Sequence, residues 1–172
     1  MARPLIKDYV RAVLIGAGHE AHALKREHPR WNPGDDFGLV ATVFELAALA
    51  RFGERLDPTA LRAFLNETLD DAARARPPVR PLIVQRVIED VYEPPDDRDD
   101  RDRDERQAAI WFALPRLVPA DTPQDAVDRL MANAAELLDM HAEFGAFVDD
   151  PCRSWPDYVC RSGLADWPTE TH

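Results

Sequence analysis

Apolar side chains return every three or four positions along most of this chain, the period of a helix with one buried face. From Pro4 to His28 they fall at positions 5, 6, 9, 10, 13, 14, 17, 21 and 24, which predicts one helix weakened at Gly16 and Gly18. Pro29 and the Asn32-Pro33-Gly34 triplet end it. A second helix, about Asp36 to Phe52, is apolar nearly all round (Leu39, Val40, Val43, Phe44, Leu46, Ala47), the pattern of a rod at the centre of a bundle. Gly53 fits just past its end.

The third helix opens with Asp57 as cap and Pro58 in the first turn, where a missing N–H costs nothing. From Pro81, the adjacent pairs Ile83-Val84, Val87-Ile88 and Val91-Tyr92 recur four apart. These residues are rich in β-branches, yet strict alternation is missing and the spacing predicts a fourth helix. The stretch Arg106–Leu114 predicts a short fifth helix stopped or kinked near Pro115. Thr122, Pro123 and Asp125 carry the pattern of a capping box at the head of a long sixth helix. Its stripe runs from Val127 through Leu130, Met131, Ala134, Leu137, Leu138 and His141 to Phe144. Ser154-Trp155-Pro156-Asp157 repeats the start signal for a short terminal helix. The expectation is an all-α, single-domain bundle of about six helices spanning 1–172, with residues 149–172 packed back on it as a tail.

One segment breaks the period. Glu93–Arg106 reads EPPDDRDDRDRDER, with no apolar side chain beyond its two prolines. Asp100, Asp102 and Asp104 imitate the opening of a calcium loop. The required glycine and distal glutamate are replaced by Glu105 and Trp111, and Arg101 and Arg103 stand among the would-be ligands. Its alternating signs describe a hydrated loop, 93–106, between the fourth and fifth helices.

Charge narrows the partners. The 172 residues carry a formal −11, only part of it in this loop. Such a surface repels phosphate backbones and anionic lipid while attracting a basic protein, so no nucleic acid and no membrane is expected. A helix-turn-helix reading of the second and third helices meets the same objection: Glu67, Asp70 and Asp71 lie on the would-be recognition helix. The apolar run Ala12–Gly18 is short for a secretion signal, and Asp8 and Glu20 flank it. The expected compartment is the cytoplasm, where Cys152 and Cys160 stay reduced.

Candidate chemistry is sparse. Gly16-Ala-Gly-His-Glu-Ala21 fits a dinucleotide glycine pattern, but the helical stripe runs straight through it with no strand before or after. His19 and His22 stand three apart as weak metal candidates, on the polar side of their helix and near Arg11 and Arg26. No cofactor is implied. Glu45 interrupts the apolar second helix and occupies either a narrow solvent strip or a buried position that needs a partner. His141 interrupts the sixth helix, so Glu45 and His141 form the one enzyme-like pair the pattern offers. Trp155, Tyr158 and Trp167 are the candidate partner-binding aromatics of the tail. Two functions follow: a non-enzymatic acidic helical module that binds a protein partner, or a small helical enzyme or ligand-binding protein with a pocket around Glu45 and His141.

Overall fold

The computed structural model describes residues 2–94 and 103–144, with side chains throughout except at Ala2, Arg3, Asp35 and 141–144. Within them the chain forms seven α-helices and one 3-10 turn: α1 (Ala2–Leu14), α2 (Gly18–Glu27), the turn Pro33–Asp36, α3 (Phe37–Phe52), α4 (Pro58–Arg74), α5 (Pro81–Tyr92), α6 (Arg103–Leu117) and α7 (Gln124–Phe144). The all-helical expectation holds.

α3 is the axis of the bundle. It packs against α7 on one side, α6 and α5 on the other, and touches α1. Its all-round apolar character follows from that position, with Val40, Val43, Leu46, Ala47 and Ala48 wholly buried. α5 packs on α6, α4 packs on α5, and α1 rests on α7. One continuous core joins Ile6 and Val10 to Phe44, Val84, Ile88, Leu114, Leu117, Val127 and Leu130. An edge-on contact of Phe52 with Phe64, ring centroids 5.7 Å apart, ties α3 to α4.

The predicted first helix is two helices. Gly16 adopts φ +71°, the left-handed conformation that ends helices. The Gly16 N–H donates to the Val13 carbonyl at 3.2 Å and the Ala17 N–H to the Ala12 carbonyl at 2.8 Å, the paired bonds of a Schellman stop. α2 resumes at Gly18, so the apolar period survives the break and conceals it in the sequence. Gly16 thus serves the break between two helices, Gly18 opens the second, and the element before them is a helix.

Three other boundaries differ from expectation. α6 begins at Arg103, so the last four residues of the charged segment are helical; residues 95–102 lie outside the described residues. α6 also runs through Pro115 to Leu117. There the Arg116 guanidinium donates to the Phe112 carbonyl at 2.7 Å and lies 3.9 Å over the Phe112 ring. The capping box at Thr122 does not form. The Ala126 and Val127 N–H groups both reach the Pro123 carbonyl, so α7 opens at Gln124, and the buried Thr122 hydroxyl oxygen has no hydrogen-bond partner among the described residues. Asp125 instead accepts from Arg129 at 2.7 Å. At α4 the expected cap is present: Asp57 accepts from the Thr59 N–H at 2.9 Å, with Pro58 next to it.

Candidate binding cleft

Glu45 is half-buried at the point where α3 meets α5 and α6. Phe37, Ala41, Phe44 and Glu45 share one side of α3, as helical spacing requires. Val87, Asp90 and Val91 face them from α5, and Arg103, Arg106, Gln107 and Ile110 from α6. Together they line a cleft of about 270 Å³ with an apolar floor and charged groups at its edges.

Two ion pairs tie α5 and the residue before it to α6, one of them between residues that line this cleft. Arg106 donates to Asp90, both side chains being largely withdrawn from water at 29% and 21% exposure. Arg80 donates to Glu105 at 3.1 Å in a more exposed setting. Along α5, Gln85 donates to Glu89 at 2.7 Å. At the far end of α5, the Tyr92 hydroxyl lies 3.2 Å from the Ala48 carbonyl and 3.0 Å from the Gly53 carbonyl, pinning that end to the C-terminus of α3. Burial pushes the Tyr92 phenol well above its ordinary range.

A second, more open cleft of about 540 Å³ lies on the other flank of α6. Tyr9 and Val13 of α1, Lys25 of α2, Asn32–Gly34, and Asp104, Ala108 and Trp111 of α6 line it. Tyr9 meets Trp31 and Trp111 edge-on, each at 5.6 Å between centroids. Lys25 donates to the Trp31 carbonyl at 3.3 Å. Gln107 lines both clefts.

The remaining candidates are either exposed or outside the described residues. His141 belongs to α7, but its side chain lies outside the described residues, and no described α7 residue lines the Glu45 cleft. The Glu45–His141 pairing therefore also lies outside the described residues. His19 and His22 are both exposed, and the His19 imidazole stands 3.8 Å from Glu20 on the surface. No group of three potential metal ligands occurs among the described residues. Trp155, Tyr158, Trp167, Cys152 and Cys160 lie outside the described residues.

Sequence reasoning found Glu45 and missed its neighbours Asp90, Arg103 and Arg106. A signal was present: positions 103, 106, 107 and 110 form an i, i+3, i+4, i+7 line that runs from the charged segment into Ile110. No described helix is long and apolar enough to cross a membrane. No protein-family model matches the chain, and comparison with curated proteins and with solved structures gives no match.

Proposed function

We propose that this protein is a small helical binding protein whose ligand sits in the cleft between α3, α5 and α6. One observation carries the reading: Glu45, the polar residue that interrupts an otherwise apolar central helix, opens onto a cleft with apolar walls and a few charged groups at its rim. That combination suits ligand recognition, where apolar area supplies affinity and few polar groups set orientation. The test is a fragment titration followed by amide chemical shifts. Binding shifts Val87, Val91 and Ile110, and Ala41→Phe, which fills the floor, abolishes those shifts. Fragments that perturb only other regions, or none that bind, would overturn the reading.

The formal charge of −11 favours a second reading, an acidic cytoplasmic module that associates with a basic protein partner. Among the described residues only Leu69 and Leu82 are large, exposed apolar side chains, at 50% and 48%, so such association would lean on charge. It predicts an affinity for the partner that falls steeply between low and physiological salt. Purification that recovers no specific basic partner at low salt counts against it.

A further inference from the structure

The four charged groups at the α3/α5/α6 cleft are not equivalent. Arg106 is committed to Asp90. Glu45 has a partner of its own. Arg103 lines the cleft from the first turn of α6, and its charge is matched by no ion pair among the described residues.

We propose that the cleft selects small organic anions: an apolar body seated on Phe44, Val87, Val91 and Ile110, ending in a carboxylate that pairs with Arg103. The inference rests on the ligand-binding reading above and adds the chemical class. The guanidinium fork matches a carboxylate with two parallel N–H donors, a geometry an ammonium group cannot supply. The apolar walls make no distinction between head groups, so discrimination falls to the charges. Glu45 and Asp90 already have partners, which leaves Arg103 as the cleft-lining group whose donors meet no partner among the described residues. Size follows from the volume. A cleft of about 270 Å³ holds the space of roughly nine liquid waters, which suits a body of about ten non-hydrogen atoms.

The experiment titrates the full chain with octanoate, octanol and octylammonium, three probes with one tail and different heads, by calorimetry and amide shifts. Wild type is compared with Arg103→Gln and with Ala41→Phe. Arg103 is exposed, so its substitution leaves the fold intact. The expected result is that Arg103→Gln weakens octanoate about fivefold to tenfold, as loss of a charge-assisted pair requires, and leaves octanol unchanged. Ala41→Phe removes all binding at the cleft. If octanoate is as tight in Arg103→Gln as in wild type, or octylammonium is the tightest probe, the anion preference is wrong while the ligand-binding reading stands. Equal weakening of all three probes by Arg103→Gln makes Arg103 a structural residue and also overturns the inference. If no probe shifts the cleft residues, both fall together.

Discussion

Arg106 of α6 donates a hydrogen bond to Asp90 of α5, and the pair closes the seam between the two helices where the cleft opens. Both side chains are largely shielded from water. Removing one partner therefore strands the other in a setting that hydrates it poorly. Arg106→Met is expected to cost about 1–3 kcal/mol in urea unfolding. Asp90→Asn in the same background should cost less than it does alone, and a double-mutant cycle measures the coupling. Independent, additive effects would show that the pair contributes no net stability.

The Arg11–Asp128 pair, which links α1 to α7 at 2.6 Å, provides the contrast. Asp128 is half exposed, and the Arg11 hydrogen bond holds its carboxyl below the usual range. Asp128→Asn should cost less than about 1 kcal/mol, and the loss should vanish in 1 M salt. Because the folded pKa is depressed, whatever this pair contributes is present above the ordinary carboxylate pKa and disappears as pH falls through the folded value. Equal effects at low and high salt would point to packing of the arginine stem instead.

Gly53 and Gly18 are predicted to respond in opposite ways to alanine. Gly53 sits at φ +81°, ψ −170°, a region open almost solely to glycine, although an added methyl would meet no atom within 4 Å. Gly53→Ala is expected to lose about 1–3 kcal/mol from backbone strain alone. Gly18 opens α2 with ordinary helical geometry and equally empty surroundings, so Gly18→Ala should be neutral or gain up to about 1 kcal/mol. Thermal or urea unfolding of both variants decides this, and a stable Gly53→Ala protein would contradict the assigned backbone.

Alkaline pH should loosen the bundle through its tyrosines. Burial raises the phenol pKa of Tyr92, and that of Tyr9 by the same cause. Above the unfolded-chain value of about 10 the unfolded state releases these protons while the folded state retains them. Stability is therefore undiminished below pH of about 10 and falls as pH rises, by up to about 1.4 kcal/mol per unit for each fully shifted phenol. Tyr92→Phe should lose about 1 kcal/mol at neutral pH, through its bonds to the Ala48 and Gly53 carbonyls, and show a shallower alkaline decline. An unchanged alkaline slope would mean that Tyr92 ionises freely in the folded protein.

Hydrophobic periodicity carried the all-helical architecture and the central place of α3, because an apolar residue on every side of a rod has few other homes. It did not reveal the break at Gly16. The Schellman stop uses only three residues, Ile15 to Ala17, before α2 resumes, and the stripe continues across it. It also misplaced the start of α6, since Arg103 to Arg106 look like solvated linker until their spacing is joined to Gln107 and Ile110. Glu45 was legible as an interruption in an oily helix. The pairing of its neighbours Asp90 and Arg106 was not, because an ion pair across two helices depends on how α5 and α6 cross, which no local pattern encodes. The cap at Asp57 was read correctly and that at Thr122 was not: both precede a proline, but α7 takes the Pro123 carbonyl as its first acceptor.

The all-round burial of α3 has a consequence for synthesis. Its covering partners Leu114 and Leu117 of α6, and Val127 and Leu130 of α7, are translated long after Phe52 has left the ribosome. At cellular elongation rates the oily rod waits on the order of ten seconds for its cover. During that interval its apolar side chains lack the surfaces that bury them, so shielding residues 37–52 co-translationally is expected to raise the yield of native protein.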